Sequence, residues 1–335
     1  MAAKHTIAAE DGIRRVILHA DDFGMNTAVN GGILRAFAGG LLTSTSLLAN
    51  APCAAAALRS WKDLTGRQVA GLLPSAPARR RLSDPQRPFD LGVHLNLTQG
   101  RPLTGSRYPI ELLDDRGRFP APERLFLRLQ RGRRFRGPIE SELERQVQML
   151  VDHGFQPTHL NGHQYVEMMP AVAEILPRLL DRFQIKVVRV AVERSFVRSA
   201  LLCRGRWRGW LLAGVKQAYA VRFRSRMRAI GARHPDGFCG LVDAGGTDFR
   251  RMRRFLSGRH DFHTLEIGLH PATAAVTAPE TDADGWNDPL ADLRSTELET
   301  LISPELPRLL EEHRLGLGRL ADLAGRPSST WAVAG

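Results

Sequence analysis

The sequence predicts an α/β fold in which about seven parallel strands, each followed by a helix, form a TIM-like barrel. Short apolar runs rich in β-branched residues alternate along the chain with segments of helical periodicity. Residues able to bind a metal or transfer protons stand at or just after the ends of these runs, where barrel enzymes place their active sites. Periodicity alone does not close a sheet, so an open, doubly wound sheet is the alternative.

The first three predicted strands lie in the N-terminal part of the chain, at residues 16–20, 44–49 and 91–97. Residues 26–37 carry apolar side chains at helical spacing and are followed by two glycines, and residues 52–61 form an alanine-rich helix. A loop rich in Pro and Arg at residues 74–88 precedes the third strand. The order is therefore βαβαβ.

The alternation resumes after a long polar excursion at residues 98–137. Further helices are predicted at residues 139–153, 170–183 and 297–313, and further strands at 158–160, 186–192, 238–242 and 265–269. We expect a single domain over residues 13–325, with a basic insertion at about 194–233 and flexible termini at 1–12 and 326–335.

Composition excludes several classes of protein. The three cysteines are odd in number and far apart, so they form neither a disulfide framework nor a zinc-finger pattern. The first residues lack the basic start and apolar stretch of a signal peptide, and no apolar run is long enough to span a bilayer. These features predict a cytoplasmic protein.

Two adjacent carboxylates, Asp21 and Asp22, end the first predicted strand in the motif HADDFG. Like charges side by side cost energy unless a cation or a proton compensates them. The pair therefore indicates a metal, with one carboxylate coordinating the ion while the other faces the reacting water. A helix N-cap with a solvated neighbour is the alternative.

Histidines follow other predicted strands: His94 in LGVHLNLT, His163 in THLNGHQY and His270, with Glu266, in LEIGLHPA. A lone histidine in a strand is more often a hydrogen-bonded core residue. One Asp and two His from converging strand ends nevertheless fit a three-ligand metal site with open positions. Such a metal would polarise a scissile carbonyl, and Asp21 and His270 fit a base and an acid.

Four stretches resemble the YdjC-like carbohydrate deacetylase family in sequence and order: HADDFGMNTAVNGGILRAFAGGLLTSTSLLAN, LGVHLNLTQGRPL, PTHLNGHQYVEMMP and LEIGLHPA. Members of this family include chitooligosaccharide deacetylases and a deacetylase of glucosaminyl-hopanoid lipids. The resemblance implies a distorted barrel related to the polysaccharide deacetylases. It also implies a hydrolase that removes the acetyl group from an N-acetylated amino sugar in an oligosaccharide or glycolipid, giving acetate and a free amine.

Position by position, the resemblance implies that one divalent metal, usually described as magnesium, is bound by Asp22, His94 and His163. Zinc or cobalt would suit two imidazoles and a carboxylate at least as well. Asp21 is similar to the general base of the family and His270 to its general acid. Arg189 lies in the region where related enzymes keep an arginine near the base.

The chain departs from the family pattern at residues 161–167. Many members read Asp-Ser-His-His-His-Val-His where this chain has Asn-Gly-His-Gln-Tyr-Val-Glu, so the ligand His163 is kept. Replacement of the aspartate by Asn161 predicts altered support for the metal. Tyr165 and Glu167 predict a reshaped sugar pocket.

Residues 194–233 contain eleven Arg or Lys and no Asp or Glu, in a chain of net charge +12. Arginines mixed with Trp207, Trp210, Tyr219 and Phe223 are typical of a helix at a membrane interface. One hypothesis is that this segment docks the enzyme on an anionic bilayer, at the inner face of the membrane. A solvated helical insertion is the equal alternative.

Other functions are weaker alternatives. Net charge alone supports nucleic-acid binding, but no reader motif accompanies it, and Asp21 and Asp22 would repel phosphates unless loaded with metal. Metal-dependent hydrolysis of another bond, such as a phosphoester, and a basic protein without activity are further alternatives. A homodimer is an additional hypothesis.

Overall fold

The structure, a computed structural model, describes residues 14–69, 89–130, 132–193, 207–241, 244–257, 262–273 and 286–325. The predicted loop at 74–88, the two predicted flexible termini and residues 194–206 of the basic segment lie outside the described residues. The single-domain organisation and the insertion therefore stay predictions.

Seven strands of the described residues form one sheet in the order β5-β4-β3-β2-β1-β7-β6, and every neighbouring pair is parallel. They are β1 (Arg15–Phe23), β2 (Ser44–Leu47), β3 (Asp90–Leu95), β4 (His159–Gly162), β5 (Val187–Val188), β6 (Gly237–Cys239) and β7 (Thr264–Leu269). A short β8 (Gly316–Leu317) pairs with the start of β1.

The two outer strands of this sheet approach one another. Glu193, beyond the end of β5, forms an isolated parallel bridge with Phe238 of β6, and the Phe238 amide donates to the Val192 carbonyl at 3.3 Å. A second isolated parallel bridge links Val187 of β5 with Arg233, which precedes β6. The sheet thus curls into a barrel whose two outer strands are joined by isolated bridges. The predicted distorted α/β barrel with about seven parallel strands is confirmed.

Ten helices are present in the described ranges: α1 (Thr27–Gly39), α2 (Ala54–Val69), α3 (Pro122–Leu129), α4 (Arg136–Asp152), α5 (Pro170–Ala173), α6 (Leu176–Arg182), α7 (Trp207–Ala229), α8 (Phe249–Ser257), α9 (Arg294–Ile302) and α10 (Glu305–Glu312). Short 3₁₀ turns occupy Gly105–Arg107, Ile110–Leu112, Arg133–Phe135, His163–Met168 and Leu320–Leu323. No helix of the described residues is long and apolar enough to cross a membrane.

Alternation along β1 separates the helix-facing core from the barrel interior. Val16 and Leu18 join the main core with Ile33 and Phe37 of α1. Ile17 instead forms a separate apolar cluster, whose other members are Val187, Leu320 and Leu323. Because successive side chains of a strand point to opposite faces, His19 and Asp21 share the interior face with Ile17.

The apolar cluster fills the end of the barrel at which the strands begin. The Leu320–Leu323 turn covers this end, with the Leu320 amide donating to Ser44 Oγ at 3.2 Å and the Ala321 amide to Asp90 Oδ2 at 2.6 Å. Ser44 and Asp90 are the first residues of β2 and β3. The carboxyl ends of the strands therefore form the opposite, polar end of the barrel.

Three elements differ from the sequence-based expectations. The polar excursion at 98–137 contains α3, because Leu125 and Leu129 present an apolar face to the core. The helix predicted at 170–183 is split into α5 and α6, with Pro177 in the first turn of α6, where its missing N–H has no helical partner to lose. The strand predicted at 186–192 is regular only over Val187–Val188.

Candidate metal centre and active site

Asp21 and Asp22 both reach the site from the end of β1. Asp22 has φ of +67°, and the register of β1 against β2 shifts between Ala20 and Phe23. In a regular strand, two neighbouring side chains would point to opposite faces. The left-handed conformation, which aspartate tolerates better than most residues, allows both carboxylates to take part in one polar cluster.

Asp22, His94 and His163 form a compact cluster of buried donor atoms. Asp22 Oδ1 lies 3.0 Å from His163 Nδ1 and 3.4 Å from His94 Nε2. The two imidazole rings meet edge to face, with centroids 5.4 Å apart. One ligand atom from each residue lies within 4.8 Å of the others, so the three side chains can converge on one metal ion.

The hydrogen-bond partners of the two histidines fit metal binding. His94 Nδ1 lies 2.9 Å from the side-chain oxygen of Asn161, which can only accept, so the His94 hydrogen is on Nδ1 and Nε2 is free to coordinate. His163 Nε2 is buried without a hydrogen-bond partner among the described residues. One carboxylate and two imidazoles are ligands that zinc and cobalt favour, and magnesium accepts.

Each aspartate has its own buried arginine. Arg189 Nη1 lies 2.5 Å from Asp21 Oδ2, and Arg294 Nη2 lies 2.7 Å from Asp22 Oδ2. Burial raises the pKa of Asp21 and of Asp22, but the arginines and the neighbouring histidines outweigh it and hold both pKa values well below the usual range. The two guanidinium groups thus compensate much of the repulsion between the two carboxylates. From the sequence, this compensation was expected from a metal.

A second carboxylate anchors each arginine. Arg189 Nε and Nη2 lie 2.7 Å from Glu266 Oε1, and Arg294 Nε lies 2.8 and 3.0 Å from the two oxygens of Asp288. Two carboxylate–guanidinium–carboxylate triads therefore stand side by side beneath the barrel mouth. Planar guanidinium groups paired in this way have little rotational freedom, so the positions of Asp21 and Asp22 are fixed.

His270 lies just beyond the end of β7, between two carboxylates. Its Nε2 is 3.8 Å from Asp21 Oδ2 and its Nδ1 is 3.7 Å from Glu297 Oε2. The His270 amide donates to the same Glu297 oxygen, and Glu297 Oε1 accepts from the Thr247 amide at 2.8 Å. Burial lowers the pKa of His270, but Glu297 and the two aspartates outweigh it, so the pKa of His270 lies above its ordinary value.

All six residues predicted from the sequence meet at this end of the barrel: Asp21, Asp22, His94, His163, Arg189 and His270. Two further contributors were not predicted from the sequence, and a third, Asn161, was predicted only to alter the support for the metal. Arg294 and Glu297 lie three residues apart on α9, and Asn161 donates to Asp21 Oδ1 at 2.8 Å while accepting from His94. The signal for the first two was an Arg and a Glu at helical spacing beside the apolar Leu298 and Leu301.

Three further departures from the family pattern, Gln164, Tyr165 and Glu167, lie on the turn that begins at His163. Gln164 and Tyr165 have φ of 54° and 65°, and the Tyr165 hydroxyl donates to the Gly240 carbonyl at 3.2 Å. Glu167 is fully buried, and burial raises its pKa to about 8. This turn therefore places an aromatic ring and a fully buried carboxyl within four residues of the proposed ligand His163.

Comparison with known proteins agrees with this architecture. A carbohydrate deacetylase of Geobacillus stearothermophilus is 33% identical over 181 residues, which are 54% of this chain and 62% of that protein. A mouse carbohydrate deacetylase is 28% identical over 333 residues, covering 92% of this chain and 94% of its own. The matched part of this chain spans less than two thirds of the Geobacillus protein.

A crystal structure of a protein from Enterococcus faecalis V583, described as a cellobiose-phosphate cleavage protein, superposes with a TM-score of 0.67. The superposition covers 93% of this chain and 100% of the Enterococcus chain, at 20% sequence identity. The two proteins therefore share a fold. The model of one family, described as YdjC-like protein, matches residues 15–312, a range that contains every residue of the site. This chain therefore belongs to the YdjC-like protein family.

Proposed function

We propose that this chain is a metal-dependent hydrolase that removes the acetyl group from an N-acetylated amino sugar in an oligosaccharide or glycolipid. One observation carries the proposal: an ionised Asp21 and a His270 of raised pKa face each other at 3.8 Å beside the Asp22, His94 and His163 cluster. Curated relatives named carbohydrate deacetylase support the substrate class.

A divalent ion would be held by Asp22, His94 and His163, where it would supply Lewis-acid polarisation of the acetyl carbonyl. Magnesium follows from the family resemblance, whereas the two imidazoles favour zinc or cobalt. Asn161 and Arg294 hold two of these ligands from outside, through His94 Nδ1 and Asp22 Oδ2. Such outer partners fix ligand orientation before any ion binds.

Asp21 is the general base. Its pKa lies well below the usual range, so its carboxylate is ionised throughout the neutral pH range and ready to accept a proton from water. Arg189, Asn161 and Ser46 contact its oxygens at 2.5, 2.8 and 3.5 Å, which fixes its direction. As the water oxygen bonds to the acetyl carbon, its proton moves to Asp21.

His270 is the general acid. Its raised pKa favours the protonated ring, and Nε2 lies 3.8 Å from Asp21 Oδ2, so the acid and the base can serve one reacting centre. When the carbon–nitrogen bond breaks, this proton moves from Nε2 to the leaving amine. Glu297 supports the imidazolium from the Nδ1 side. The products are acetate and a free amino sugar.

Release of acetate from N-acetylglucosamine oligosaccharides and glycolipids, with and without a chelator, tests the proposal. Asp21→Asn should keep bound metal and lose turnover, while His94→Ala and His163→Ala should lose metal as well. His153→Ala, at an exposed histidine, is the matched control. Unchanged metal content in both ligand variants would overturn the metal assignment, and no acetate from any substrate would overturn deacetylation.

We further propose that the outer face of α7 contacts an anionic membrane. Ala220, Phe223 and Met227 turn one face of this helix into the core. Other positions of the helix, and the residue after it, expose arginines together with apolar side chains: Arg222, Arg226 and Arg228 with Val221 and Ile230. Exposed cations attract anionic lipid headgroups, and exposed apolar side chains beside them can enter the interface.

Co-sedimentation with anionic liposomes tests the membrane contact. Neutralising Arg222, Arg226 and Arg228 to glutamine should reduce binding. A control that neutralises the exposed Arg116, Arg253 and Arg308 removes equal charge elsewhere and should bind like the wild type. Equal binding by both triple variants, or no binding by the wild type, would contradict the proposal.

A further inference from the structure

Beneath Asp21 and Arg189 the barrel interior holds two histidines that the proposed reaction does not use. His19 lies on β1 and His159 on β4, and both are fully buried. Their Nε2 atoms are 2.9 Å apart and their rings meet edge to face at a centroid distance of 5.0 Å. Two polar rings at positions that a barrel usually fills with apolar side chains call for an explanation.

The contacts of these rings determine which nitrogen carries each hydrogen. His19 Nδ1 has two polar neighbours, Arg189 Nη2 at 2.7 Å and Asp21 Oδ1 at 3.1 Å. A guanidinium only donates, so the shorter contact requires Nδ1 to accept and places the hydrogen of a neutral His19 on Nε2. That hydrogen points to His159 Nε2, which must accept. His159 therefore carries its hydrogen on Nδ1, 2.9 Å from Thr158 Oγ1.

The chain of hydrogen bonds ends on the backbone. Thr158 Oγ1 lies 3.1 Å from the Leu91 carbonyl, which accepts its hydrogen. His19, His159 and Thr158 thus each accept from one neighbour and donate to the next, so these hydrogen bonds run in one direction. Burial and the charge of Arg189 lower the pKa of His19 to about 4, and burial together with His19 and Arg189 holds the pKa of His159 well below its ordinary value. Both rings are neutral, as this directional chain requires.

The fold provides space for this arrangement. A Cβ atom on Gly92 of β3 would lie 2.4 Å from both Cδ2 and Nε2 of His159. Real Cβ contacts are never this short, so the His159 ring occupies the place where any other residue at 92 would put its side chain. The glycine and the ring therefore fit together as parts of one site.

We propose that His19 and His159 are positioning residues for the base. They fix Arg189 Nη2, and because the guanidinium is planar, this also fixes Nη1, which holds Asp21 Oδ2. The carboxylate of Asp21 is thereby aimed at the attacking water. This inference rests on the proposed function, since it takes Asp21 to be the base.

Two substitutions at His159 separate the hydrogen bond from the volume of the ring. In His159→Gln the side-chain oxygen can still accept from His19 Nε2, whereas His159→Phe keeps a ring beside Gly92 without an acceptor. We expect the Phe variant to lose kcat by about 10–100-fold at unchanged KM and metal content, and the Gln variant to recover most of that loss. His153→Phe, at an exposed histidine, should behave like the wild type. Equal kcat in the Gln and Phe variants would overturn the proposal.

Ring nitrogen-15 NMR of the wild-type chain provides a readout that needs no turnover. The expected signature is a hydrogen on Nε2 of His19 and on Nδ1 of His159 at neutral pH, assigned by comparison with His159→Gln. The opposite tautomers, or a charged ring at either position, would overturn the proposed chain of hydrogen bonds. This readout remains available even if the Phe variant fails to fold. Absence of acetate release with the expected tautomers would instead count against the proposed function and remove the positioning role with it.

Discussion

Arg294 Nη2 lies 2.7 Å from Asp22 Oδ2, and the same guanidinium donates from Nη1 to the His270 carbonyl at 3.3 Å. One side chain from α9 thus connects the proposed metal ligand on β1 with the proposed acid after β7. Arg294 is itself 1% exposed and paired with Asp288. Its loss would leave two buried carboxylates without their counter-charge.

Arg294→Met should therefore lower the free energy of unfolding by about 3–5 kcal/mol, the usual cost of breaking a buried ion pair from one side. Arg294→Lys keeps the charge but cannot reach Asp22 and Asp288 together, so an intermediate loss is expected. Urea denaturation measures both. Arg308→Met on α10, an exposed position, is the control and should change stability by less than about 0.5 kcal/mol. Equal stability of the two Met variants would contradict this role for Arg294.

Glu297→Gln should shift the alkaline limb of the kcat profile to lower pH. The negative charge of Glu297 raises the pKa of His270, and an acid catalyst works only below its pKa. Without that charge, His270 loses its proton at a lower pH and activity falls earlier as the pH rises. Glu299→Gln, on the exposed side of the same helix, should leave the limb in place. A limb that moves upward or stays fixed in Glu297→Gln would argue against His270 as the acid.

The sequence was sufficient for the strand–helix order because both signals are local. Apolar runs of strand length and helical periodicity predicted most elements to within a few residues, as at β1, α1 and β7. The strand order was also enough to predict that Asp22, His94 and His163 lie close together, because the carboxyl ends of parallel strands meet at one end of a barrel. Strand pairing beyond Val188 could not be predicted, because it depends on how the outer strands approach one another.

The surroundings of the cluster could not be predicted for a different reason. Arg294 and Glu297 are charged residues in a helix, and such residues usually face solvent. Their burial follows from contacts with Asp22 and His270, which are distant in sequence. The left-handed conformation of Asp22 is equally invisible in an apolar pattern, yet it decides that both aspartates belong to one site.

Asn161→Asp should move the acid limb of the kcat/KM profile to higher pH. The amide nitrogen of Asn161 lies 2.8 Å from Asp21 Oδ1, and a carboxylate oxygen in its place would repel Asp21 and raise the pKa of the pair. The remaining oxygen can still accept from His94, so metal content and activity at alkaline pH should persist. Asn26→Asp keeps the N-cap of α1 and serves as the control. An unchanged acid limb would show that Asp21 is not the group that limits activity at low pH.

Gly31 and Gly32 of α1 provide a matched pair for testing how His270 is placed. A Cβ on Gly32 would lie 2.4 Å from Ala272 Cα, two residues beyond His270, whereas a Cβ on Gly31 would meet only the Thr273 side chain at 3.5 Å. Gly32→Ala should lower the free energy of unfolding by about 1–3 kcal/mol, because backbone must move away from backbone.

Gly31→Ala should instead be neutral or stabilise by up to about 1 kcal/mol, since alanine favours the helix. Displacement of the segment that follows β7 should also reduce acetate release in Gly32→Ala and leave it unchanged in Gly31→Ala. Urea denaturation and turnover of the two variants check both effects. If Gly32→Ala were as stable and as active as Gly31→Ala, then close packing of α1 against residues 270–273 would not be what positions the proposed acid.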